Sequence, residues 1–168
     1  MTSLNVAEAG WTDPVDQVAP AAPWFVEDAG RQLLALSAAA VAWRYGQPGL
    51  EVALVKRRRQ GDWGFPKGSP LPGEAMAAAA ERELLEETGI AGGSSAPLAN
   101  LVYASRSGRA KLASYWLVRA GPGEFSPNRE VVKLLWLPPA RARVALSHQR
   151  ERAVLDLAVE ALGSGLAG

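Results

Sequence analysis

Gly68–Ile90 reads GSPLPGEAMAAAAERELLEETGI: glycine and proline at the start, alanine and glutamate through the middle, Thr88-Gly89 near the close. The alanine-glutamate run predicts a helix from about Glu74 to Thr88, stopped by Gly89 in a left-handed conformation. An early carboxylate at Glu74 suits the positive end of a helix. With Glu83 as zero and about 100° per residue, Glu86 falls at about −60° and Glu87 at about +40°. Three carboxylates thus share one face, where like charges three and four residues apart repel. A multivalent cation is the simplest offset, and oxygen donors suit Mg²⁺ or Mn²⁺ rather than zinc or copper. Ala77, Ala80 and Leu84 form an apolar stripe able to dock on a sheet, the alanines permitting close approach.

Outward from this helix, LLALSAAAVAWRY reads as a strand, Gly46-Gln47-Pro48-Gly49 as a turn, and EVALVKRR as a returning strand. Gln60–Pro72 is punctuated by Gly and Pro and reads as loop. Beyond the helix, LANLVYAS and KLASYWLVRA are strands joined by a turn at Arg106-Ser107-Gly108-Arg109. VVKLLWLP is a further strand ended by Pro138-Pro139. Ser147 fits the N-cap of a last helix that buries Val154, Leu157, Ala158 and Ala161. Strands mixed with two or three helices, without regular βαβ alternation, argue for an α/β (α+β) arrangement in layers.

The 68–90 segment resembles the Nudix box, G-x5-E-x7-R-E-U-x-E-E-x-G-U with U a bulky aliphatic residue. Gly68, Glu74, Arg82, Glu83, Leu84, Glu86, Glu87, Gly89 and Ile90 fill every defined position with both gaps correct. The resemblance extends across most of residues 33–162. It implies a mixed β-sheet sandwiched between helices, and a Mg²⁺-dependent hydrolase of a nucleoside diphosphate linked to another group, with Mn²⁺ able to substitute. It also implies the backbone carbonyl of Gly68 as a further metal ligand. In several family members a glutamate from a later loop is the general base, for which Glu130 is the candidate. The WGFPKG lead-in, the KLASYWLVRA strand and the LSHQRERAVL tail are similar to a branch joining diadenosine polyphosphate hydrolases, MutT1-like enzymes and diphosphoinositol polyphosphate phosphohydrolases. These act on long, highly charged polyphosphates.

Composition sets bounds. A length of 168 residues suits one domain, with residues 24–168 expected to form it and the Pro- and Ala-rich residues 1–23 expected to be a flexible arm. The absence of cysteine excludes disulfides, thiolate catalysis and thiolate zinc sites. A net charge of +1 is too balanced for a general nucleic-acid binder. No apolar run approaches a membrane span, and the first residues lack a basic and an apolar leader region, so a cytoplasmic location is expected. The sequence leaves monomer and homodimer open.

Hydrolysing a pyrophosphate needs charge neutralisation, an activated water and a positioned leaving group. Glu86 and Glu87 are the first metal ligands to consider, with Glu83 a third ligand or the base. Arg82, four residues before Glu86, is placed to orient these carboxylates, and Glu74 is a partner for it. An arbitrary ExxEE would ordinarily be a solvated helix face; the complete box weighs against that here. Lys56–Arg59 is a basic run at a strand end, and alternation sends Arg57 and Arg59 to one side. Those two, with Lys67, Arg106, Arg109 and Lys111, are candidate phosphate contacts, since arginine forks match phosphate oxygens. Tyr115 and Trp116 alternate, which offers Tyr115 as a ligand contact. Trp63 and Trp136 read as packing residues, and His148, the single histidine, has no triad partner. The expected substrate is a small-molecule (di)nucleoside polyphosphate of the diadenosine tetraphosphate type. Alternatives are 8-oxo-(d)GTP, a diphosphoinositol polyphosphate, the 5′ end of an RNA, or nucleotide binding without turnover.

Overall fold

The alanine-rich run forms β1 (Ala35–Gly46), turning through Gln47-Pro48 into β2 (Gly49–Arg57), with Gly46 paired to Gly49. These elements come from a computed structural model that describes residues 35–104 and 108–164. The expected arm at 1–23 and the candidate Arg106 lie outside the described residues. After β2 come two short strands, β3 (Trp63–Gly64) and β4 (Lys67–Gly68), then α1 (Met76–Thr88). β5 (Ile90–Ala104), β6 (Ala110–Gly123), β7 (Val131–Leu137), α2 (Pro139–Ala145) and α3 (Gln149–Gly163) complete the order. The sheet runs β3-β2-β1-β6-β5, with β4 on β1 and β7 on β2. It is mixed, because β1 and β6 are parallel while the other pairings are antiparallel. No helix among the described residues is long and apolar enough to cross a membrane.

Strand alternation divides β1 between two layers. Ala39, Val41 and Trp43 face α2 and α3 with Leu54, Phe65, Tyr115, Leu146 and Val154. Ala38, Ala40 and Ala42 face the other way, with Ala53 and Val118, and meet Ala79, Ala80 and Leu84 of α1. The result is the α/β/α sandwich. On the α1 side the seam is mostly methyl against methyl, so the helix backbone lies close to the sheet and Leu84 is its one large, fully buried apolar anchor.

Several sequence expectations shift. The stripe of α1 uses Ala79, while Ala77 is only half-buried. The helix starts at Met76, after Ala75, and its first turn holds no acidic residue. Glu74 is drawn back instead, accepting a bond from Leu71 N (2.8 Å). Gly89 does stop α1 at φ 73°, where a Cβ would also strike the carbonyl of Glu124. The Gln60–Pro72 loop contains β3 and β4 because β1 and β2 part company beyond Trp43–Val52. The segment fills the opening, pairing Gly64 with Val55 and Gly68 with Ala38. Pro138-Pro139 ends β7 but also opens α2, since proline is tolerated in a first helical turn. Ser147 does not cap α3, which begins after His148. Its hydroxyl accepts from Trp63 N (2.9 Å), and its own N–H donates to Trp63 O. Leu157 and Ala161 are half-buried, and the fully buried face is Glu151, Ala153, Val154, Leu155 and Ala158.

Candidate active site

The methyl seam brings the second half of α1 against β4, and the carboxylates sort by their angle on the helix. Glu83 and Glu87 turn inward and are 7% and 2% exposed, whereas Glu86 is turned to solvent. The Glu83 carboxylate lies directly over the backbone of Gly68, where any Cβ would collide with it. Only glycine permits that approach.

Arg82 binds the cluster together. Its guanidinium donates twice to Glu74 (2.9 and 3.0 Å), once each to Glu83 (2.8 Å) and Glu86 (3.0 Å), and once to the carbonyl of Ser69 (3.0 Å). Those bonds from Arg82, with that from Leu71 N, hold Glu74 below the usual carboxylate range. Burial pushes Glu83 up, opposed by Arg82 and reinforced by the charges of Glu86 and Glu130. Burial raises Glu87 further, to about 7, despite Arg57 and a bond from Lys67 N, with Glu83 and Glu130 adding repulsion.

On the far side of Glu87 the basic run separates. Arg57 points into the site, with Nη1 3.4 Å from Glu87 and Nη2 donating to Phe65 O (2.7 Å). Arg58 turns away to the carbonyl of Asn128 (3.0 and 3.3 Å), and Lys56 stands over the Trp63 ring. Arg59 lines a cleft of about 380 Å³ with Arg57, Lys67, Glu87, Arg129 and Glu130. A second cleft of about 520 Å³ shares Arg57, Gln60 and Lys67 with it and continues to Tyr103, Lys111 and Arg150. Arg109 is exposed and lines neither of these two clefts. Tyr115 is corrected: β6 is covered on both faces, so Tyr115 packs edge-on to Phe65 in the core at 0% exposure, and Trp116 faces the α1 layer. Trp63 and Trp136 are partly buried packing residues, Trp136 beneath the Arg44 guanidinium at 4.1 Å.

Among the described residues, no three acidic or histidine side chains are already drawn together around one point as an ion would hold them. Arg82 explains part of this, since it engages both Glu83 and Glu86. The residues nonetheless fit a hard divalent cation. The donors are all oxygen, the Gly68 backbone is open to Glu83, and two buried carboxylates carry repulsion that a cation would relieve.

Sequence reasoning missed two residues here. Glu151 is wholly buried on α3 beneath Gly64, 3.5 Å from Lys67 Nζ, with one carboxylate oxygen unpartnered. Its spacing from Val154, Leu155 and Ala158 puts a charge on an apolar helix face, which was the available signal. Asn128 ties Glu130 to α1 and had no comparable signature. Nearby, His148 Nε2 lies 2.9 Å from Asp62. Burial would raise the Asp62 carboxyl, but that bond and the charges of Arg57 and Lys67 hold it low.

Comparison with known proteins agrees with this fold. The family model described as NUDIX domain matches residues 34–158. An 8-oxo-(d)GTP phosphatase of Mycolicibacterium smegmatis is 39% identical over 128 residues, which is 71% of this chain but 39% of that protein's length. The crystal structure of a C. elegans Ap4A hydrolase binary complex superposes with a TM-score of 0.68 at 24% identity, covering 79% of this chain and 99% of that one. The NUDIX domain of Shewanella oneidensis NrtR complexed with ADP ribose gives 0.69 at 21% identity, covering 79% and 90%.

Proposed function

The chain belongs to the NUDIX domain family, and from that premise we propose that it is a divalent-metal-dependent pyrophosphohydrolase of nucleoside polyphosphates, dinucleoside polyphosphates first. The observation that carries the substrate reading is the pair of clefts joined at Arg57, Gln60 and Lys67. One end holds the glutamates; the other extends past Lys67 to Lys111, Arg150 and Tyr103. Its basic side chains suit a chain of phosphates, with Asp62 and His148 also on the wall and the Arg150 guanidinium stacked 4.1 Å over the Tyr103 ring.

Glu83, Glu86, Glu87 and the Gly68 carbonyl would hold Mg²⁺, with Mn²⁺ able to replace it. A divalent ion there supplies neutralising charge on phosphate oxygens and eases deprotonation of water. Arg57, Arg59 and Lys67 hold the phosphate chain over the carboxylates, and Arg82 keeps Glu83 and Glu86 in place. Glu130, whose charge is felt by both Glu83 and Glu87, takes a proton from the attacking water. The new P–O bond forms as the bridging P–O bond breaks, leaving two phosphate-terminated products.

A second reading is hydrolysis of 8-oxo-(d)GTP, favoured by the name of the 39% identical relative. Turnover with Mg²⁺ on diadenosine polyphosphates, 8-oxo-dGTP, a diphosphoinositol polyphosphate, ADP-ribose and triphosphorylated RNA separates them. The proposal expects the highest kcat/KM on a diadenosine polyphosphate, lost in Glu87→Gln. Preference for 8-oxo-dGTP moves the assignment to the second reading, and tight binding without turnover of any compound overturns both.

A further inference from the structure

Glu130 sits on an exposed loop between β6 and β7, yet to act on a water over α1 its carboxylate must keep a fixed distance from Glu87. An exposed loop does not hold such a distance unless something ties its backbone down. One side chain makes that tie. Asn128 Nδ2 donates to the main-chain carbonyl of Glu87 (3.0 Å), while Asn128 Oδ1 accepts from the N–H of Glu130 (3.0 Å) and of Val131 (2.9 Å). The donor and acceptor ends of the amide are fixed by these partners, because a flipped amide would lose all three bonds.

The Glu87 carbonyl is one of the last four of α1, which have no partner within the helix. Of the other three, Leu85 O is met by Gly89 N. Asn128 meets Glu87 O from 41 residues away. The loop is held from its other side as well. Arg58 N donates to Glu130 O (2.7 Å), the Arg58 guanidinium to Asn128 O, and Asn128 N closes the turn on Val131 O (2.9 Å). The loop is therefore clamped between the end of α1, which carries Glu87, and the end of β2, which carries Arg57.

We infer that Asn128 is a positioning residue for the reaction, fixing the Glu130 carboxylate against the metal helix by joining the backbone of Glu87 to that of Glu130. This rests on the reading of Glu130 as the group that takes the proton from water. Asn128 touches neither substrate nor reacting atoms, so its loss acts on kcat and leaves KM nearly unchanged. A shift of about 1 Å in a reacting group costs up to about 100-fold, and Asn128→Ala is expected to lower kcat roughly 10- to 100-fold.

The test is a double-mutant cycle on the full chain, with kcat and KM for Asn128→Ala, Glu130→Gln and the pair, using a diadenosine polyphosphate and Mg²⁺. Support is a kcat loss in Asn128→Ala at KM within about twofold, and no further loss when it is added to Glu130→Gln. A full extra loss in the Glu130→Gln background overturns the inference, since Asn128 would then act independently of Glu130. If Glu130→Gln alone keeps wild-type kcat, the reading of Glu130 fails and this inference falls with it. If Glu130→Gln is impaired and Asn128→Ala is not, only the inference falls. Should Asn128→Ala not fold, Asn128→Asp takes its place in the cycle. It keeps the acceptor for Glu130 and Val131 and loses the donor to Glu87.

Discussion

Replacing Glu87 by glutamine should stabilise the metal-free protein at neutral and alkaline pH. Burial, with repulsion from Glu83 and Glu130, raises the Glu87 carboxyl from an ordinary 4.5 to about 7 in the fold. A carboxyl that holds its proton more tightly folded than unfolded contributes nothing adverse below pH 4.5, where both states are protonated. As pH rises from 4.5 to 7 the unfolded chain ionises first and stability falls, and above about 7 the whole penalty stands. At about 1.4 kcal/mol for each pH unit, that penalty is about 3 kcal/mol. The substituted amide would keep an acceptor for Lys67 N but has no charge to desolvate. With EDTA present, Glu87→Gln should therefore match wild type near pH 4.5 and melt higher at pH 8, by roughly 6–12 °C for a chain of this size. Saturating Mg²⁺ at pH 8 should stabilise wild type more than the variant. Melting curves that stay parallel from pH 5 to 8 would refute the reasoning, because they would mean Glu87 is ionised in the fold at no cost.

Gly68→Ala puts a methyl into the Glu83 carboxylate, so the Mg²⁺ concentration for half-maximal turnover should rise at least tenfold; an unchanged metal titration would contradict the packing described. Arg82→Lys cannot reproduce the two-pronged bond to Glu74 while reaching Glu83, Glu86 and Ser69. Turnover should fall roughly 10- to 100-fold, with circular dichroism unaltered. Ala80→Leu overfills the methyl seam at 0% exposure, and chemical denaturation should show a loss of about 1–3 kcal/mol.

The helix and its glycine stop were legible in the sequence because they obey local rules, whereas the wheel put Glu83, Glu86 and Glu87 on one face and did not show that Glu86 is turned to solvent. The 3.6-residue period places side chains, and Gly89 answers a backbone demand within its own turn. The hairpin at Gly46–Gly49 was legible for the same reason. What escaped depended on distant partners. β3 and β4 are two residues each, too short for any alternation, and exist because β1 and β2 leave an opening. Tyr115 and Trp116 alternate as the pattern requires, but alternation cannot say that both faces of β6 are covered. The run Lys56–Arg59 was read by strand alternation, but β2 ends at Arg57 and Arg59 stands in the turn beyond it, and alternation could not show that Arg58 would be spent on the Asn128 carbonyl. Asn128 itself reads as an ordinary turn residue, and its tie to Glu87 crosses 41 residues.

The alanine seam has one more consequence. Interlocking large side chains fix a helix both in depth and along its axis, but methyl groups facing methyl groups form a smooth track. Between Ala79 or Ala80 and Ala38, Ala40 or Ala42 little resists a slide of α1 lengthwise, and among the described residues Leu84 is the one large apolar side chain that α1 buries fully. The axial stops lie from the middle of α1 to its C-terminal end: Arg82 on the Ser69 carbonyl, Asn128 on the Glu87 carbonyl, and Gly89 seated against Glu124. The polar ties along the carboxylate-bearing half of α1 thus also set the register of the helix. Cutting one of them should let the carboxylates drift together as a rigid block, a motion visible as coordinated amide shifts along the whole of α1 rather than at the cut alone.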